Sequence, residues 1–175
     1  MQHSTQGTSS SVPTVSGEFE ARGGDAVEIL VNDHTNIKAL LQQLTQTHDD
    51  AMRIRTLEQL KGLLTVHNAT EENLVYPALA LVAGKKSESL HLYHETAAAD
   101  MLVFELDTML KEGDTSKFEA TAKSLQKAVL EHIDDEEQKA FPHLQKHAEP
   151  QQAQLLTQSV REFRSSLTYK PPSAG

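Results

Sequence analysis

The chain has 175 residues, a formal charge of −9 and no cysteine. That length suits one domain with a real core, and the missing thiol excludes disulfides, thiolate metal sites and cysteine nucleophiles, leaving oxygen and imidazole as metal ligands. The acidic balance opposes nucleic-acid binding, which is built on clustered Lys and Arg. The apolar stretches are too short to span a bilayer and the amino terminus lacks the basic start and apolar run of a signal peptide, so the expectation is a soluble, cytoplasmic protein with no nucleic-acid and no membrane partner.

Residues 1–24 are rich in Ser, Thr, Gly and Gln and lack apolar periodicity, which predicts a flexible amino-terminal arm. Asp25 is a good N-cap, and Val27, Leu30, Val31, Ile37, Leu41 and Leu44 recur at helical spacing, predicting a first helix to about residue 47 with His34 on its inner side. His48-Asp49-Asp50 reads as a turn. A second helix follows, with Leu57, Leu60, Leu64, His67, Glu71 and Leu74 on one side and Pro77 placed to kink or end it.

After Gly84-Lys85-Lys86 a third helix carries His91, Glu95, Ala98, Leu102, Leu106 and Met109 on what reads as its inner face, and Gly113 closes it. Thr115 or Ser116 can cap a fourth, in which Leu125, Val129, His132, Ile133 and Glu136 share a side, running to about Pro142 or beyond. A shorter fifth helix from Pro150 through Leu167 would pack outside, and Tyr169-Lys170-Pro171-Pro172 ends order. Long helices with short connections predict an all-α, up-down-up-down four-helix bundle over residues 25–147, followed by a carboxy-terminal helix and tail over 148–175.

Three histidines are followed four residues later by glutamate: His67 with Glu71, His91 with Glu95, and His132 with Glu136. A helix sets i and i+4 side by side, so each pair can close on one cation. At about 100° per residue, His34, His67, His91 and His132 each fall within about 60° of the centre of their helix's apolar stripe. The spacing alone means little in a chain with 25 acidic residues and 9 histidines. Its weight comes from convergence on one core, because imidazoles and carboxylates without a matching Lys or Arg are costly there unless cations satisfy them. Seven donors, His34, His67, Glu71, His91, Glu95, His132 and Glu136, are too many for one transition ion and suit two, with iron or manganese favoured over calcium. His94 falls about 60° or more off the stripe and stands as a neighbouring group or alternative ligand. Tyr76 reads as packing at a helix end and Tyr93 as pointing away from the core.

His34 in Asn-Asp-His, His67-Asn-Ala-Thr-Glu71 with Glu72 and Tyr76-Pro77, and His132-Ile-Asp-Asp-Glu136 with Glu137 and Phe141-Pro142 resemble the hemerythrin-like HHE cation-binding domain over residues 25–147. The resemblance implies two iron ions with oxo or hydroxo and carboxylate bridges, binding dioxygen, nitric oxide or peroxide and served by an unknown electron donor. Where relatives often present HxxxH or a single His on the third helix, this chain has His91-Leu-Tyr-His94-Glu95. A glutamate there adds anionic oxygen, which favours the ferric state and redox reactivity over reversible oxygen storage. Sensing or iron handling without turnover is the competing expectation.

Overall fold

The computed structural model describes residues 24–167. The expected flexible arm, apart from Gly24, and the end of order at Tyr169 to Pro172 lie outside the described residues. Helix α1 spans Ala26–Gln46 and opens on a capping box, in which Asp25 accepts from the Glu28 N–H and Glu28 accepts from the Asp25 N–H. Helix α2, Asp50–Thr70, is capped by Asp49 and runs through a π-turn, Glu71–Val75, into α3, Tyr76–Val82. Helix α4, Lys86–Glu112, ends on Gly113 at φ 74°, the left-handed conformation glycine adopts without Cβ strain. Helix α5, Phe118–Asp135, runs through a second π-turn, Glu136–Ala140, into α6, Phe141–His147.

The α1, α2–α3, α4 and α5–α6 rods form the expected antiparallel bundle, with α1 against α2 and α5, and α4 against α2 and α5. Helix α7, Pro150–Leu167, lies across α1 and α2. Two bonds tie it to the start of α1: Thr157 Oγ1 accepts from the Ala26 N–H, and Arg161 donates to the Gly24 carbonyl. One cap differs from expectation. Helix α5 begins at Phe118 behind Lys117, because Asp114 and Thr115 spend their acceptors on a preceding turn, to the N–H groups of Ser116 and Phe118.

Pro77 neither ends nor breaks its rod. Proline has no N–H to give to the carbonyl four residues back, and the turn before it widens so that the Tyr76 N–H bonds to the Glu71 carbonyl five residues back. The same occurs before Pro142, where the Phe141 N–H bonds to the Glu136 carbonyl. In a regular helix a residue five positions on would sit about 140° around the axis. The π-turn instead brings Tyr76 over Glu71, to which its hydroxyl donates, and both are buried, as are Glu136 and Phe141 at the second π-turn.

The core is layered. One apolar cluster, including Ile37, Leu41, Leu60, Leu106 and Leu125, fills one end, and a second, including Leu30, Val75, Leu79, Phe141 and Leu144, fills the other. Each buried leucine contributes about 1.5–3 kcal/mol relative to exposure. Between the clusters lies a buried polar layer of Asp33, His34, His67, Thr70, Glu71, Thr96, His132 and Glu136.

Candidate metal centre

Five of the predicted residues meet in this layer. His34 comes from α1, His67 and Glu71 from α2 and its π-turn, His132 and Glu136 from α5 and its π-turn. His34 Nε2 lies 3.2 Å from Glu136 Oε2, His67 Nε2 lies 3.2 Å from Glu71 Oε2, and His132 Nε2 lies 3.4 Å from Glu136 Oε1. Glu136 thus presents one oxygen to each of two histidines on different helices.

The other ring nitrogen of each histidine faces a carboxylate. Since an ionised carboxylate only accepts, Nδ1 donates: His34 to Glu137 at 2.8 Å, His67 to Asp33 at 3.2 Å, and His132 to Glu95 at 3.0 Å. Holding the proton on Nδ1 leaves the Nε2 lone pair of each ring aimed inward, which is how metal-binding imidazoles are oriented.

Inside the layer the acceptors outnumber the hydrogens. Tyr76 has one O–H, yet Glu71 Oε2 (3.1 Å), Glu136 Oε1 (2.8 Å) and His132 Nε2 (3.2 Å) all lie within its reach. Thr96, also near it, gives its own hydrogen to the Leu92 carbonyl. His34 Nε2, Glu71 Oε1 and Glu136 Oε2 have no hydrogen-bond partner. His34 Nε2 and Glu136 Oε2 are close but not aligned as donor and acceptor, so nearness leaves both unsatisfied. A buried set of lone pairs this short of hydrogens is costly by itself.

Protonation follows the same shortage. Burial, reinforced by the charge of Glu136, pushes the Glu71 carboxyl well above its ordinary value. Glu136 is also buried, but the surrounding imidazoles, His34 first among them, hold it below the usual carboxylate range. Burial lowers His67, despite Asp33, and raises the Tyr76 hydroxyl well above its usual value. Without a cation the centre keeps a proton on Glu71, facing the neutral His67 Nε2. That proton stands where a positive ion fits, and imidazole with carboxylate is a donor set for iron, manganese or zinc. The ligating atoms of His34, His67, Glu71 and Glu136 lie within 4.8 Å of one another, a separation that a cation can bridge.

The third bundle helix departs from the expected facing. Over the first half of α4 the buried residues are Ser89, Leu92, Thr96 and Ala99, a stripe turned by about one residue, or 100°, from the predicted one, whereas Leu102, Leu106 and Met109 pack against the core as expected. The cause is that α4 carries large apolar side chains on its outer side too, Leu90, Met101 and Phe104 among them, so its periodicity does not single out one face. Thr96 takes the inner place and satisfies its hydroxyl on its own helix. His91 is 60% exposed, with Nε2 3.1 Å from Glu95 and 3.6 Å from Asp135. Glu95 sits behind His132, and His94 is exposed.

Other participants escaped the sequence reading. Tyr76 is fully buried at the centre of the layer, and Tyr93, expected to point away, packs edge-on against it at 5.0 Å and donates to the Glu72 carbonyl. The Tyr-Pro and Phe-Pro pairs were the available signal for the π-turns. Asp33, adjacent in sequence to His34, carries the Arg164 guanidinium at 2.7 Å, and Glu137 carries Lys38 at 3.1 Å. Phe141 stacks on the His34 ring at 5.8 Å.

An antiparallel helical bundle with a buried layer of histidines and carboxylates defines a cation-binding helical protein. The hemerythrin HHE cation-binding domain model matches residues 25–144, and the chain belongs to that family. It is 23% identical over 150 residues to an uncharacterized hemerythrin-like protein of Schizosaccharomyces pombe, covering 84% of this chain and 73% of that protein. The crystal structure of a hemerythrin HHE cation-binding domain-containing protein from Mycobacterium kansasii has the same fold, with a TM-score of 0.65 at 20% identity over 82% of this chain and 89% of that one. No helix among the described residues is long and apolar enough to cross a membrane.

Proposed function

We propose that this protein holds two iron ions between His34, His67, Glu71, His132 and Glu136 and reacts with a small oxidant, dioxygen, nitric oxide or peroxide, in the cytoplasm. The observation that carries the reading is the shortage of hydrogens: three Nε2 lone pairs and two carboxylates converge, while Tyr76 offers a single O–H. Two ions are favoured by Glu136, whose two oxygens face His34 and His132 separately, while Glu71 meets both His67 and Tyr76 through Oε2 and has its Oε1 left without a hydrogen-bond partner. Bound iron supplies the electrons exchanged with the oxidant.

The protein's own groups do the rest. Asp33, Glu137 and Glu95 fix the rings, and Tyr76 keeps a proton beside the carboxylates. A small, mainly apolar pocket of about 10 Å³ is lined by Ile37, Leu64, Ala99 and Val129 together with His67 and His132, with Asn68 and Thr96 in its wall. An apolar pocket of that size beside the histidines has room for a neutral ligand of a few atoms.

Anaerobic reconstitution of apo-protein with ferrous iron, followed by each oxidant in turn, tests the proposal. Turnover by tightly held iron, seen as visible bands that form and are lost on reduction, supports it. Iron that leaves to a mild chelator without reacting would replace it with an iron-handling role.

A further inference from the structure

A buried centre has to be loaded, and the three carboxylates behind its histidines are not alike. Asp33 is covered by Arg164, and Glu137 is held by Lys38, so a cation approaching either meets a fixed positive charge. The partners of Glu95 are two imidazoles, His132 at 3.0 Å through one oxygen and His91 at 3.1 Å through the other. Among the described residues no Lys or Arg pairs with it.

We propose that His91, Glu95 and Asp135 form an outer binding site for a divalent transition-metal ion, from which the buried centre is loaded past His132. The proposal rests on the reading of the buried layer as a metal centre. The ligand atoms of the three outer residues all lie within 4.8 Å of one another, and one imidazole with two carboxylates suits ferrous, manganous or cobaltous ion. Side-chain exposure falls in steps along the contacts, from 60% at His91 and 23% at Glu95 to 9% at His132 and none at Glu136. Glu95 belongs to both ends of that gradient: it faces the outer imidazole and holds an inner one. Lys139 occupies Oδ1 of Asp135, leaving Oδ2 toward His91 and tempering the site's affinity, as an intermediate stop requires.

This gives His91 a role distinct from that of a ligand in the buried layer: it governs the rate of filling and not the final occupancy. The test is anaerobic mixing of full-length apo-protein with cobaltous ion, followed by its visible ligand-field bands, for the parent and for His91→Ala, Asp135→Asn and Lys139→Ala. Both His91→Ala and Asp135→Asn substitute outward-facing side chains and spare the core. The expected result is an uptake rate about tenfold lower in these two, as for loss of local charge steering, with the same cobalt retained by the buried centre after weakly held ion is removed by desalting, and faster uptake in Lys139→Ala. Unchanged rates with unchanged retained cobalt would overturn the outer site alone, as would loss of the retained cobalt in His91→Ala, which would make His91 a ligand of the centre itself. A parent protein that takes up no cobalt would overturn the metal-centre reading and this proposal with it.

Discussion

Arg164 and Asp33 form a two-point ion pair, with Nη1 2.7 Å from Oδ2 and Nη2 3.2 Å from Oδ1, and the same Oδ2 accepts the Nδ1 proton of His67 at 3.2 Å. Burial would raise the Asp33 carboxyl, but the His67 hydrogen bond and the Arg164 guanidinium hold it below the ordinary value. Helix α7 is thereby joined to the metal layer through one carboxylate. Arg164→Ala strands that carboxylate and should cost about 3 kcal/mol, the lower end for breaking a buried pair. Metal affinity should fall by about 10-fold or more as His67 loses its fixed orientation. Denaturant unfolding of the apo-protein and a competitive metal titration check the two effects.

Glu71→Gln should have opposite effects on the apo and metal-loaded proteins. Because burial raises the folded-state Glu71 carboxyl, the folded apo-protein keeps a proton that the unfolded chain releases above about pH 4.5. Apo stability attributable to Glu71 is therefore complete below that value and lost as pH rises through the folded-state value. Glutamine does not titrate, so the variant apo-protein should match the parent near pH 4 and exceed it by about 1–3 kcal/mol at high pH, the scale of one unsatisfied buried polar group. It should also bind metal poorly. Thermal unfolding across pH, with and without metal, reads both.

Tyr76→Phe removes the one hydroxyl shared by Glu71, Glu136 and His132. The shape of the core is kept, so the loss is mainly polar, and the apo-protein should fall by about 1–3 kcal/mol. With metal bound, the carboxylates and imidazole have another partner and the loss should shrink. A smaller difference in unfolding free energy in the loaded state is the expected outcome.

Pro77→Ala restores a backbone donor to the carbonyl of Asn73 and lets the π-turn relax toward regular helix. Glu71 and Tyr76 would then lose their common face. The variant should be as stable as the parent or more so in the apo state, yet bind metal more weakly. Calorimetric titration of parent and variant with the same ion measures the separation.

The bundle was legible because α1, α2 and α5 carry one apolar stripe each, and His34, His67, Glu71, His132 and Glu136 lie on those stripes at whole-turn spacing. Helix α4 was not, since leucine, methionine and phenylalanine surround it and the choice of face is made by packing against α2 and α5. That choice moved His91 and Glu95 outward and brought in Thr96. Tyr76 was hidden by assuming a constant 100° per residue through a turn that the following proline widens. The pairing of Asp33 with Arg164 spans 131 positions in the chain and has no periodic signature.

In the buried layer, protons and one tyrosine hydroxyl occupy the place that fits a cation. Metal analysis of the purified protein, paired with its thermal midpoint before and after chelation, tests it most directly. The expected result is about two irons per chain, a midpoint that falls when they are removed, and recovery on adding ferrous iron back under anaerobic conditions. A protein that carries no metal, takes up none after reduction and unfolds at the same temperature throughout would contradict it.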